Sequence, residues 1–254
     1  MKNKNSILWL VLVMSIASTA SPAFLARHYE FEDASNLGQA TVGPDATVHS
    51  TITQAATPGG WGFISDLYLL QDPAKAVPES RMGVNAGALA CWFKTSDSTT
   101  SRQSLVFGTG SGYFLIEMLS GGIIEGFVRD DAGNSVAVHS TSDLADGQWH
   151  HACLTWDGTT GAAIAGTHTL RLYIDGTEVD SIMETSIGWT AVDSWTIGGR
   201  PSGFRFNGPL DDVRIYAEGS VLTSDEVAEL AVKLPADMVH TRLTVPSIYS
   251  TLPQ

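Results

Sequence analysis

Positive charge and cysteine are scarce in this chain of 254 residues. There are 14 basic against 27 acidic side chains, a net charge of −13. Phosphate backbones are held by clustered lysine and arginine, so nucleic acid is excluded as a partner. An acidic surface suits solubility and cations, and it disfavours anionic polysaccharide unless a local basic patch intervenes. The two cysteines, Cys91 and Cys153, permit a single intramolecular disulfide bond and no disulfide framework. Strand parity argues against that bond. Leu89, Cys91 and Phe93 share one apolar face, whereas Ala152, Leu154 and Trp156 put Cys153 on the opposite face of its strand. A bridge needs Cα atoms ~4.4–6.8 Å apart, so it requires a bulge in one of the two strands.

Other absences narrow the function. There is no internal repeat, heptad run or low-complexity tract, which excludes solenoids and coiled coils. No His-Glu-x-x-His, nucleophile-elbow serine or phosphate-binding glycine loop is present. His150 and His151 are strand neighbours that point to opposite faces and cannot chelate one ion together.

Lys2 and Lys4, the apolar run from Ile7 to Ala17 and the small residues Ser18-Thr-Ala20 together have the form of a signal peptide. The run is shorter than the ~20 residues of a spanning helix, and no later stretch is longer. We expect residues 1–20 to be removed, with Ala23 as an alternative end, giving a secreted, periplasmic or cell-surface protein. The mature chain then has 12 basic and 27 acidic residues. One domain is expected over 27–232. Residues 235–254, with three prolines and no periodicity, read as a loosely packed tail.

Glycine, 25 residues of it, punctuates the middle of the chain. Between the glycines lie short strand-like runs: 28–32, 88–94, 104–108, 113–119, 123–129, 135–139, 150–156, 170–174, 194–197 and 210–216. Their spacing predicts an all-β fold, an antiparallel β-sandwich jelly roll of two stacked sheets. Residues 129–134 read as a hairpin loop, and Asp146-Gly147 and Asp175-Gly176 as tight turns. Residues 40–78 are weakly patterned, with one or two short strands expected. A short helix is predicted after the last strand, where Thr223 and Glu226 fit a capping box and Val227, Leu230 and Ala231 share a face. We expect it as a lid over one end of the core.

The order of motifs resembles a known family. Tyr29-Glu-Phe-Glu-Asp33, Ala90-Cys-Trp-Phe-Lys94, Asp146-Gly-Gln-Trp-His-His151, Leu172-Tyr-Ile-Asp-Gly176, Ile197-Gly-Gly199 and Gly208-Pro-Leu-Asp-Asp-Val-Arg-Ile-Tyr216 follow one another in register. This series is similar to the laminin-G-like jelly roll of the concanavalin A-like lectin/glucanase superfamily, over roughly 29–232. The resemblance implies a scaffold hosting lectins, hydrolases, lyases and adhesion modules. The superfamily's glucanases place two acids ~5–5.5 Å apart on a Glu-x-Asp-x-Glu strand. That strand is absent here, and Glu117 and Glu125 stand alone in the sequence. The resemblance also implies a structural Ca²⁺ where the first and last strands meet, with Glu32, Asp33 and Asp211 as ligands. Sugar faces stack on aromatic rings. Trp92, outward by parity, and His151 are the expected ligand-binding pair, with Trp61 and Trp189 at a rim. The sequence therefore predicts a secreted, monomeric, non-catalytic module that binds a glycan or an extracellular protein. The rivals are a lyase or hydrolase with an unrecognised site, and a structural or adhesion domain.

Overall fold

The computed structural model describes residues 25–31, 86–158, 168–184, 192–200, 203–216 and 221–232, with Ile187 and short pieces between 35 and 70. The expected signal peptide and tail lie outside the described residues. The described part is an antiparallel β-sandwich with one short helix. One sheet carries β3 (Thr53–Thr57), β4 (Gly60–Ile64), β15 (Pro209–Tyr216), β6 (Ala86–Lys94), β11 (Trp149–Gly158), β12 (His168–Ile174) and β13 (Thr177–Glu184), in that order. The first strand, β1 (Leu25–Tyr29), also pairs with β15. The second sheet runs β2 (Thr47–Val48), β5 (Leu69–Leu70), β14 (Val192–Ile197), β7 (Arg102–Gly110), β8 (Tyr113–Leu119), β9 (Ile123–Arg129), β10 (Ser135–His139).

Alternation assigns the faces. Leu89, Cys91 and Phe93 of β6 and Ala152, Leu154 and Trp156 of β11 point into one core. Phe114, Ile116 and Met118 of β8 meet them with Ile124 and Val128 of β9. Gly126 stands where these layers touch: a Cβ there would collide with the Leu154 side chain of the opposite sheet. In β15 the core positions are Leu210, Val213 and Ile215. Two residues instead of one separate the first pair, and the extra residue is absorbed as a bulge with Asp212 at φ 49°.

Cys91 and Cys153 are free thiols on opposite faces of one sheet, as their parity requires. The hairpin turn Asp175-Gly176, with φ of 50° and 80°, has the left-handed pair that a two-residue connection needs.

Three expectations change in detail. The region 40–70 contributes four short strands rather than one or two. Strand β13 carries Val179, Ile182 and Met183 exposed at a sheet edge, so it lacks the alternation that marks a half-buried strand. The helix α1 (Ser224–Leu230) has the predicted capping box, with Thr223 accepting from Glu226 N and Glu226 accepting from Thr223 N. It does not cap an end of the core. Val227 and Leu222 cover the outer face of the first sheet, where Ala88, Ala90 and Cys153 leave a shallow trough beside Tyr173 and Tyr216.

Candidate functional site

On the first sheet the expected site residues form one row. Register pairs Asp211 with Trp92 and Trp92 with His151, and the two rings lie 5.3 Å apart. The row is deep: Trp92 is 7% exposed and His151 1%. Asp211 is buried as well, and its Oδ1 accepts the backbone N–H of Asp212 at 2.7 Å. Glu32 and Asp33 lie outside the described residues, as does Trp189. Among the described residues no group of three His, Cys, Asp or Glu side chains is arranged to hold a metal ion.

The charge at the meeting of first and last strands is carried by Asp212. Its carboxylate takes His28 Nε2 at 2.5 Å and two contacts from Arg214 at 3.0 and 3.2 Å. Burial pushes this carboxyl up, but the bond from His28 and the charge of Arg214 outweigh it and hold Asp212 at about 2. His150, on the other face from His151, is a turn lock. Its Nδ1 meets Asp175 at 2.8 Å and its Nε2 meets Asp146 at 3.2 Å, and these bonds raise its proton affinity.

The second sheet brings together residues that stand far apart in the sequence. Register pairs Ser104 with Glu117, Glu117 with Glu125, and Glu125 with His139, making one polar rung across four strands. The next rung on the same face is apolar: Phe107, Leu115, Phe127 and Ala137. A third holds Thr109, Tyr113, Arg129 and Ser135. Successive rungs are two residues, or ~6.7 Å, apart. This face points away from the core, because Phe114, Ile116 and Met118 occupy the alternate positions of β8.

Glu117 is the electrostatic centre of the polar rung. Arg102 and Arg200 each hold one of its oxygens, and Arg102 also lies 3.4 Å from Glu125. The far oxygen of Glu125 takes His139 Nε2 at 2.9 Å. Burial, and next a hydrogen bond shared with Glu125, push the Glu117 carboxyl up to about 7 against the pull of Arg200 and Arg102. Two buried carboxyls in contact favour sharing one proton. Arg200 also packs over Phe107 at 4.5 Å and Phe204 at 5.2 Å.

Phe204 stands out at the rim. It is 41% exposed and holds φ 55°, a left-handed conformation that costs a bulky side chain energy. It is fixed there by the backbone bonds of 2.9 and 3.0 Å that Arg200 and Gly203 exchange, and by the bond from Ser104 N to its carbonyl at 2.7 Å.

Sequence reasoning passed over Glu117, Glu125 and His139, yet a signal for them exists. In a hairpin, residues equidistant from the turn face each other. Glu117 and Glu125 each stand four places from Gly121, and Glu125 and His139 each seven from Ala132. Arg200 carries no such mark, since it lies beyond β14, which pairs with β7 without being its neighbour in sequence.

Comparison with known proteins gives a consistent scaffold. The family model described as "Concanavalin A-like lectin/glucanases superfamily" matches residues 71–228. No curated protein matches the chain. Among solved structures, the binding domain of Paraclostridial Mosquitocidal Protein 1 is similar with TM-score 0.62 at 13% identity. The match covers 82% of this chain and 52% of that one, so this chain spans about half its length. Domain 4 of the extracellular arabinanase AbnA from Geobacillus stearothermophilus, solved with arabinotriose, has TM-score 0.57 and 20% identity. That match covers 84% of this chain and all of the domain. The ligand binding domain of botulinum neurotoxin serotype D, solved with N-acetylneuraminic acid, has TM-score 0.60 and 14% identity over 82% of this chain and 50% of that one.

Proposed function

The chain belongs to the concanavalin A-like lectin/glucanase superfamily, and from that premise we propose that it is an exported, non-catalytic module that binds carbohydrate on the outer face of its second sheet. The observation that carries the proposal is the pairing of an apolar rung with a polar one. A pyranose has apolar ring faces and an equatorial belt of hydroxyls. Phe127, half-buried in the apolar rung, and Phe204 at the rim offer surface for the ring face, whereas Phe107 is buried beneath Arg200. Arg102, His139 and Arg200, one rung away, offer donors for the hydroxyls.

Binding is favoured over cleavage by the state of the two acids. A retaining glycosidase keeps its carboxyls ~5–5.5 Å apart on either side of the bond it breaks. Here Glu117 and Glu125 are in contact, and Glu117 is fully buried beneath two guanidinium groups. Of the similar structures solved with a sugar, one is a ligand binding domain and the other is domain 4 of an arabinanase, which supports a sugar-binding reading. Export is part of the proposal and rests on Lys2, Lys4 and the run from Ile7 to Ala17. So is a stabilising Ca²⁺ at Asp211, Glu32 and Asp33, by the family resemblance alone.

The test is calorimetry against arabinotriose, N-acetylneuraminic acid and trigalacturonic acid, with wild type and Phe204→Gly. At least one sugar should bind without release of reducing ends. The variant should bind it about tenfold more weakly while melting no lower than wild type, because glycine adopts φ 55° without strain. Silence across the panel, or new reducing ends, would overturn the proposal.

A further inference from the structure

We infer that the glycan held on this face is acidic, its ring carboxylates clasped by the arginines that frame the rungs; the inference rests on the reading of the face as a glycan site. The chain is poor in cations, and its arginines are unevenly placed. Arg102, Arg129, Arg200 and Arg205 all belong to this one face. Arg102 stands one step beyond the polar rung, and Arg129 lies in the third rung with its guanidinium 5.3 Å from the Tyr113 ring. Arg205 bridges to Ser104 in parallel register, which puts it on the same face. Arg200 lies between Phe107 and Phe204.

Depth sorts the charges by sign. The acids of the rung lie underneath, with the side chain of Glu117 wholly buried and that of Glu125 nearly so. Arg102 is 38% exposed, His139 is 44% exposed, and Arg129 and Arg205 are exposed too. At the far hairpin Asp130 is buried and holds the backbone and side chain of Asn134, while Asp131 is exposed and accepts from Ser111 at 2.7 Å. A ligand approaching the polar rung therefore meets guanidinium groups first. A guanidinium offers five donors in a planar fork, which matches a carboxylate better than a hydroxyl.

The layout also sets the size of the ligand. From Arg102 to Arg129 is three same-face steps along the strands, ~20 Å, with the apolar rung between. That is an oligosaccharide, with a ring face over Phe127 and acidic groups at both ends. The net charge of −13 opposes a polyanion at long range. Salt screens that repulsion beyond ~10 Å, whereas contact pairs with the arginines persist.

The experiment compares trigalacturonic acid with its methyl ester, which has the same rings and no charge, on wild type and Arg205→Gln. The acid should bind at least about tenfold tighter than the ester. Arg205→Gln should weaken the acid about tenfold and leave the ester nearly unchanged. Arg205 is exposed, so this variant should melt with wild type. Equal or tighter binding of the ester overturns the acidic assignment and leaves the glycan site standing. A sulfated disaccharide that outbinds the uronate overturns the carboxylate. Failure of the acid, the ester and the neutral arabinotriose together defeats both readings.

Discussion

Glu117 concentrates the chemistry of this molecule in one side chain. In the unfolded chain its carboxyl titrates near the ordinary value of 4.5, and in the fold near about 7. Between those values the folded protein keeps a proton that the unfolded chain has lost. The stability it contributes is complete below pH 4.5 and is lost as pH rises through about 7. Denaturant melts of wild type and Glu117→Gln across that window should diverge. Wild type should lose stability relative to the variant as pH rises, and parallel curves would show that the acid pair shares no proton. The opposite sign applies at Asp212, whose depressed carboxyl supports the fold above 3.8 and stops doing so as pH falls through about 2. Asp212→Asn keeps a residue that tolerates φ 49° but removes the charge facing His28 and Arg214. It should cost about 3 kcal/mol in chemical denaturation.

At the scale of strands and turns, contact between the two sheets depends on a missing side chain. Gly126→Ala drives a methyl group into Leu154 and should cost about 2 kcal/mol. With Leu154→Ala the space reopens, so the double variant should lose less than the two single losses added together. Additive losses would mean that the layers do not meet there. Strands bounded by turn residues, such as Tyr113–Leu119 and Ser135–His139, were legible in the sequence to the residue. So were the Asp175-Gly176 turn and the capping box at Thr223, because each depends on local chemistry. Strand β13 was not, because an edge strand need not alternate. The resting place of α1 was not either, since it depends on Ala88, Ala90 and Cys153 being small and side by side on neighbouring strands. The same holds for the candidate site. Trp92 and His151 were read as outward and do lie opposite the core, but nothing local reveals that they are buried there. The rung of Ser104, Glu117, Glu125 and His139 is a product of register, invisible to any reading that takes one strand at a time.

At the scale of the whole molecule, we expect a monomer on the ground of acidic charge. On one side the sheets are joined where His139 N donates to Asp180 at 2.8 Å. Strand β13 exposes Met183 but also Glu178 along its edge, and charge at an edge discourages pairing with a second copy. Sedimentation should therefore return a mass no greater than the 27.0 kDa of the full chain, and a stable dimer would favour an assembly role. Calcium belongs to this scale as well. If Asp211 shares an ion with Glu32 and Asp33, millimolar Ca²⁺ should raise the melting temperature over chelator by mass action, and superimposed curves would remove the ion from the account. The central claim is that ligand lies on the second sheet and not on the first. Amide NMR during titration with the tightest sugar of the panel tests it most directly. Shifts should gather at Arg102–Ser104, Glu117, Glu125–Phe127, His139 and Phe204. Shifts gathered instead at Trp92, His151 and Asp211 would contradict it.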